Sequence, residues 1–416
     1  MSYRKDMSDM NNTPRAERLH IGIFGRRNAG KSSILNAITG QNAAVVSPAP
    51  GTTTDPVYKA MELPPLGPVM FIDTPGIDDE GELGELRIQK TKEIIRKTDI
   101  AVIVVDGEKG LGEYEKELSR TFGEAGVKFL VVYNKADVSY VRTRSGIRLS
   151  TVTGENLDKL KSEIIALGLI VKGETPQRLA GDLLEAGDLV VLVIPIDEAA
   201  PKGRLILPQQ QVIRDILDAG AVPVLAGVQG LGGTLAKLKD APRLVITDSQ
   251  VFGQVAELVP CEIPLTSFSI LMARYKGVLD EAVRGVRFID TLIDGDKILI
   301  AEGCTHHRQC EDIGTVKIPR MLGEHTGFKF NYTFSSGGGF PEELSGFKLI
   351  IHCGGCMQNP REMRFRHQAA KDAGVPVTNY GIIISHMQGI LERCIRPFKG
   401  NNIFNSSPVK KGHSEK

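Results

Sequence analysis

The stretch GRRNAGKSS, Gly25 to Ser33, decides the fold of the N-terminal part of this chain. It follows an apolar run, HIGIF, and opens a segment with helical apolar spacing, KSSILNAI. Strand, glycine loop and helix in that order put Gly25, Gly30, Lys31 and Ser32 at the G-x-x-x-x-G-K-S spacing of a phosphate-binding loop. Glycines let backbone N–H groups wrap a phosphate without a Cβ in the way. The helix N-terminus adds positive potential, Lys31 reaches the outer phosphates, and Ser32 offers a hydroxyl to magnesium.

Working outward, further elements follow in order. DTPG, Asp73 to Gly76, closes the apolar run VMFI; Asp73 can hold magnesium through water and the Gly76 N–H can sense a terminal phosphate. PGTTTDP, ahead of it, offers Thr52, Thr53 and Thr54 on a segment free to move. NKAD, Asn134 to Asp137, ends the run FLVVY; a carboxylate at Asp137 accepts from guanine N1–H and its exocyclic amine, a donor pair adenine lacks. LSTVTGENLDKL then places Ser150 and Thr151 beside the base. The bound nucleotide is therefore expected to be GTP with Mg2+, held by Asn28, Ala29, Ser33 and Lys135 as well as the residues above. Ile77, after DTPG, is apolar and cannot orient an attacking water, so slow intrinsic hydrolysis is expected.

Composition sets outer limits. The chain has 416 residues, 41% of them hydrophobic and 24% charged, with a net charge of +1. That is room for about two to four domains. A near-neutral balance gives no broad footprint for nucleic acid. No apolar run reaches the ~18 residues of a membrane span, and the polar first twenty residues lack a secretion signal, so a cytoplasmic protein is expected.

Short apolar runs alternate with helical patterns almost throughout, which predicts α/β architecture with parallel sheets. The expected division is a flexible tail over 1–17, a GTPase domain over 18–172, an α/β unit over 173–264, an α/β unit over 265–400 and a second tail over 401–416. LVVLVIPI, AVPVLAGV and RLVITDS read as strands of the middle unit, which carries no cluster suggesting catalysis and reads as a packing or self-association module. In the last unit KILIAEG, FKFNYTF, FKLIIHC and VPVTNY read as strands, and SSGGGFPEE, Ser335 to Glu343, as a flexible loop.

The last unit also carries a cysteine constellation. Cys304 follows KILIAEG in the sequence CTHHRQC, and Cys353 and Cys356 follow FKLII. If both strands are parallel in one sheet, the three thiols share a sheet edge, with the helix PREMRFRHQAAKDAG beginning just after Cys356. A redox dithiol uses only Cys353 and Cys356. A zinc site would add Cys304 with His306 or His352. A three-cysteine iron–sulfur site with a labile fourth corner is the third reading. Cys310 reads as a bystander thiol, Cys261 and Cys394 as buried packing residues, and His307, His325, His367 and His386 as surface or helix histidines.

Residues 18 to about 170 resemble small GTPases of the Era and MnmE kind through GRRNAGKS, PGTTTD, DTPG, NKAD and STVTG; such families usually show SAK or SAL where Ser150, Thr151 and Val152 stand. The resemblance implies that Thr53 is the switch threonine on magnesium and that Asn28 helps hold a K+ ion. Together with C-x-H and H-C-x-x-C (Cys304, His306, His352, Cys353, Cys356), residues 18 to about 400 resemble the HydF family of FeFe-hydrogenase maturation GTPases. That resemblance implies a 4Fe-4S cluster on Cys304, Cys353 and Cys356, with His306 or His352 as candidate fourth ligand. It also implies a homodimer built on the middle unit, and a scaffold that works with radical-SAM maturases and passes a two-iron precursor to apo FeFe-hydrogenase. The rival readings are a zinc-binding regulatory GTPase and a ribosome- or tRNA-associated GTPase.

Overall fold

The structure, a computed structural model, describes residues 13–40, 56–75, 82–138, 145–173, 178–195, 205–303 and 312–398. The chain divides into two compact units, Met1–Pro176 and Gln177–Lys416.

The first unit is built on a six-stranded sheet in the order β2-β3-β1-β4-β5-β6. Its elements are β1 (Leu19–Phe24), α1 (Lys31–Thr39), β2 (Val57–Leu63), β3 (Gly67–Asp73), α2 (Glu82–Lys97), β4 (Ile100–Asp106), α3 (Glu113–Glu124), β5 (Lys128–Asn134), β6 (Ile147–Arg148) and α4 (Leu157–Gly173). Every pairing is parallel except that of β2 with β3. The central strand β4 is buried on both faces: Ile100, Val102 and Val104 join one apolar cluster, Ala101 and Ile103 the other. A strand covered on both sides needs a continuous apolar run, which is why β4 is legible in the sequence. β2 is an antiparallel edge strand with mixed exposure, and its sequence VYKAMEL carries no such run.

The second unit contains two four-stranded, all-parallel sheets, in the orders β10-β9-β7-β8 and β12-β11-β13-β14. The first uses β7 (Leu189–Val193), α5 (Leu207–Asp218), β8 (Val222–Ala226), α6 (Leu231–Lys237), β9 (Leu244–Thr247), α7 (Phe252–Leu258) and β10 (Leu265–Ser267). α8 (Phe268–Tyr275) and α9 (Leu279–Val286) lead to the second, formed by β11 (Lys297–Glu302), α10 (Ile318–Thr326), β12 (Asn331–Ser336), β13 (Leu349–His352), α11 (Pro360–Asp372) and β14 (Val377–Asn379). α12 (Tyr380–Met387) and α13 (Leu391–Ile395) complete the unit. One apolar cluster takes in Val190–Val193 of the first sheet and Ile298, Ile300, Leu349 and Ile351 of the second, so the two sheets share a core. The segment at Leu265, read from sequence as the start of the last unit, is hydrogen-bonded to β9 as an edge strand of the first sheet.

Three local readings change. Cys261, expected to pack inside, is exposed, because it lies in the turn between α7 and β10. His367 is on a helix as expected but buried, with Nδ1 3.3 Å from Glu281 Oε2. The loop-like SSGGGFPEE is tied down: Ser335 and Ser336 end β12, and the Phe340 ring is buried in the cluster of Leu299, Ala301 and Ile350.

Candidate functional site

In the first unit the loop between β1 and α1 closes around the Lys31 ammonium. Gly25 has φ +146 and Gly30 φ +93. A Cβ at Gly25 would lie 2.3 Å from the Val104 carbonyl oxygen, and one at Gly30 would lie 2.1 Å from Asn134 Nδ2. The loop therefore needs glycine at both places for conformation and for space. Asn28 is also left-handed, at φ 61. The buried Lys31 ammonium folds into the loop and donates to the carbonyls of Gly25 and Arg26, both at 2.9 Å. Asn134 Nδ2 braces the loop from β5 by donating to Ala29 O at 3.1 Å.

Ser32, on the first turn of α1, donates to Asp73 Oδ2 at 2.5 Å. Burial pushes the Asp73 carboxyl above its ordinary value, while the Ser32 hydroxyl and Lys31 pull it back. Asp73 Oδ1 is buried with no hydrogen-bond partner. A hydroxyl and a buried, under-satisfied carboxylate at a phosphate loop are the donor set a magnesium ion takes. These residues fit that ion. Ser33 is exposed on α1.

The base-side loops are also joined. Ser150 Oγ donates to Asp137 Oδ1 at 2.6 Å and accepts from the amides of Val152 and Thr153, both at 3.2 Å. Ala136 N donates to Leu149 O at 3.0 Å, fixing the NKAD turn to the following loop. Asp137 is exposed and Thr151 half-buried beside Ser150. Lys135 Nζ bonds Asp106 Oδ2 at 2.7 Å, a contact that holds Asp106 below the usual carboxylate range against the opposing effect of burial. Sequence reasoning missed a second brace: Arg26 pairs at 3.3 Å with the buried Glu115, whose other oxygen takes the Gly112 amide at 3.0 Å. Thr52, Thr53, Thr54, Gly76 and Ile77 lie outside the described residues.

In the second unit β11 and β13 are adjacent and parallel, with Ala301 opposite His352. Both chains leave the sheet at its carboxyl edge, where Cys353 N donates to Ala301 O at 2.9 Å. The Gly303 amide then donates to Cys353 Sγ at 3.0 Å, and the Gly355 amide approaches the same sulfur at 3.4 Å. Cys304, His306, His307 and Cys310 lie outside the described residues. Gly303, which precedes Cys304, nonetheless brings the chain against the Cys353 sulfur. Gln358 ties the two segments by donating to Gly303 O at 2.5 Å.

Cys353 and Cys356 are both half-buried free thiols. Burial raises the Cys356 thiol, while Lys276 pulls it down. Lys276, on the turn after α8, is 1% exposed and donates to Gln358 O at 2.6 Å. α11 starts four residues after Cys356 with Asn359 as its N-cap, accepting from Glu362 N at 2.9 Å. Two N–H donors on a sulfur, a buried ammonium and a helix N-terminus all favour bound negative charge. That is the environment an anionic metal–thiolate group takes, so the residues fit an iron–sulfur cluster.

His352 is placed differently. It is 1% exposed; its Nδ1 bonds Cys353 O at 2.9 Å, and its Nε2 faces Arg366 Nη1 at 3.0 Å. Burial, and then the Arg366 charge, keep this imidazole well below its ordinary value, so it stands neutral with Nδ1–H donating and Nε2 accepting. Neither ring nitrogen is open to a metal in this arrangement. Arg366 itself is 1% exposed and bonds Glu362 Oε1 at 2.9 Å and Gly337 O at 2.6 Å. Nothing in PREMRFRHQ distinguishes this arginine from one on a solvated helix face.

These features define a P-loop GTPase domain joined to a unit of two parallel sheets that carries Cys353 and Cys356 at one sheet edge. Known family models match both parts. Residues 20–135 match the model described as 50S ribosome-binding GTPase. Residues 179–277 match the hydrogen maturase F dimerization domain, and residues 280–397 the hydrogen maturase F tetramerization domain. The chain belongs to the hydrogen maturase F (HydF) family.

Among individual proteins, the chain is 30% identical over 166 residues to GTPase Der of Nautilia profundicola, covering 35% of this chain and 36% of that one. It is 34% identical over 163 residues to the tRNA modification GTPase MnmE of Thiobacillus denitrificans, covering 38% and 36%. The match thus spans about a third of the length of these curated relatives. The solved structure of Aquifex aeolicus Era bound to GDP and AlF4- is similar at 20% identity and a TM-score of 0.33, covering 50% of this chain and 92% of that one.

Proposed function

We propose that this chain is a GTP-hydrolysing scaffold for hydrogenase assembly. It holds a 4Fe-4S cluster through Cys304, Cys353 and Cys356, and carries a two-iron precursor as cargo for apo FeFe-hydrogenase. Membership of the HydF family supports the setting. The observation that carries the cluster assignment is the Gly303 amide on Cys353 Sγ, which brings the chain leading to Cys304 against the CGGC turn. An iron–sulfur cluster supplies an anionic metal centre with an exchangeable iron. The amides of Gly303 and Gly355, the Lys276 ammonium and the N-terminus of α11 would balance its negative charge. His352 would act as an outer partner, with Arg366 and the Cys353 carbonyl fixing its ring, and His306 would be the candidate for a further ligand to the cluster.

In the nucleotide site the loop amides and Lys31 bind the β- and γ-phosphates of GTP. Ser32 and Asp73, with Thr53, hold Mg2+, and Gly76 reports the γ-phosphate. Asp137, oriented by Ser150, reads guanine, with Asn134 and Lys135 supporting the turn. The Ile77 side chain has no polar group to position water, so turnover in the isolated protein is slow, and Asn28 gives K+ a role in raising it. The domains over residues 179–277 and 280–397 make the protein a self-associating one, a homodimer or a larger assembly. It works in the cytoplasm with radical-SAM maturases. None of the described helices is long and apolar enough to cross a membrane.

Anaerobic isolation with iron and sulfide analysis tests the reading. Four irons and four sulfides per cluster, lost in Cys304→Ser, Cys353→Ser or Cys356→Ser while GTP hydrolysis persists, are expected. Zinc with no visible chromophore refutes it.

A further inference from the structure

On the second unit, away from the cysteines, Asp290, His325 and His386 offer ligand atoms that all lie within 4.8 Å of one another. The three come from separate elements. Asp290 is in the short helical turn Arg287–Thr291 before β11, His325 in the last turn of α10 and His386 in the last turn of α12. The two imidazoles do not stack; their centroids are 6.0 Å apart with planes at 61°. We propose that Asp290, His325 and His386 form a divalent transition-metal site of the zinc and cobalt type, separate from the cysteine site.

Topology keeps the two sites apart. Asp290 precedes β11. α10 and α12 both run back from the carboxyl edge of the second sheet, so their last turns reach its amino edge. The cysteines follow the carboxyl ends of β11 and β13. A six-residue parallel strand such as β11 spans about 20 Å, too far for one ion to bridge both sets.

The chemistry suits a borderline cation. Two imidazoles and one carboxylate form a recognised three-donor set that leaves a position for water. Donors around a tetrahedral zinc, each ~2.0–2.1 Å from the ion, sit roughly 3.3 Å apart. Closure from the observed spacing needs only side-chain rotation, which Asp290 and His325, both exposed, are free to make. Both histidines lie at helix C-termini, where the backbone carbonyls favour positive charge. Burial holds His386 below its ordinary value, Asp290 opposes this, and His325 and Arg287 reinforce it.

The test is Co2+ titration of the untagged full-length protein, followed by equilibrium dialysis and visible absorption. Expected is one Co2+ equivalent whose d–d bands carry no thiolate charge transfer, in addition to any ion the cysteine thiols take up. That equivalent should disappear in His325→Ala/His386→Ala and persist in Cys353→Ser/Cys356→Ser. Asp290→Asn, an isosteric change at an exposed position, should weaken the same equivalent at least about tenfold, which guards against misfolding of the histidine pair. If both variant sets keep wild-type stoichiometry and spectrum, the site does not exist. If the d–d bands vanish only with the cysteines, the ion belongs to the thiols and the proposal fails.

Discussion

Replacing Arg366 by Met tests how the cysteine site is supported. The guanidinium is 1% exposed and donates to Glu362 Oε1, Gly337 O and the His352 ring. Methionine retains much of the aliphatic stem and removes every donor. Glu362, itself 3% exposed, is then left as a carboxylate with its Arg366 partner gone. Breaking one side of a buried ion pair costs about 3–5 kcal/mol. The Gly337 carbonyl and His352 Nε2 each lose a donor, worth about 1–3 kcal/mol apiece, but the three losses share one network and do not add. A total near 3–5 kcal/mol is therefore expected. Hydrogen exchange of β13 and α11 amides reads this locally, which matters in a protein of two units and no tryptophan. The double variant Arg366→Met/Glu362→Met removes the stranded charge and should recover part of the loss, despite forfeiting a favourable acid in the first turn of α11. Protection reduced by under about 1 kcal/mol in the single variant, or a double variant less stable than the single, would refute the argument that the buried pair governs this region.

Gly30→Ala forces a Cβ to within 2.1 Å of Asn134 Nδ2 at φ +93, so guanine-nucleotide binding measured with a fluorescent analogue should fall at least about 100-fold with the fold retained. Asp137→Asn exchanges a carboxylate that accepts two bonds for an amide; GTP affinity should drop about 100-fold or more and xanthosine triphosphate should become the better ligand in competition assays. Ser150→Ala removes the 2.6 Å bond to Asp137 and the acceptor for two amides, so GTP should bind roughly 5- to 30-fold more weakly by isothermal titration, with ATP still rejected. Lys276→Met removes a buried positive charge beside Cys356, so the reconstituted cluster should show a more negative midpoint potential by redox titration; an unchanged potential would exclude Lys276 from its electrostatics.

What the sequence determined by itself was local. The strand, loop and helix around Gly25 to Ser33 could be read because their signal is a short contiguous run of residues, even though Gly25, Gly30 and Ser32 also answer Val104, Asn134 and Asp73. β4, β11 and β13 could be read because a strand covered on both faces must be apolar without interruption. The edge strand β2, polar and covered on fewer sides, could not, and neither could the placement of Leu265–Ser267 in the first sheet of the second unit, since three residues carry no period. Tertiary structure decided which charges were buried. Arg366, Lys276 and Glu115 look in sequence like ordinary solvated residues, and His352 looks like a ligand. Their roles come from partners 14, 82 or 89 positions away. Such pairings exist only once strands are ordered into sheets, because strand order is set by the burial of whole faces and not by any single residue.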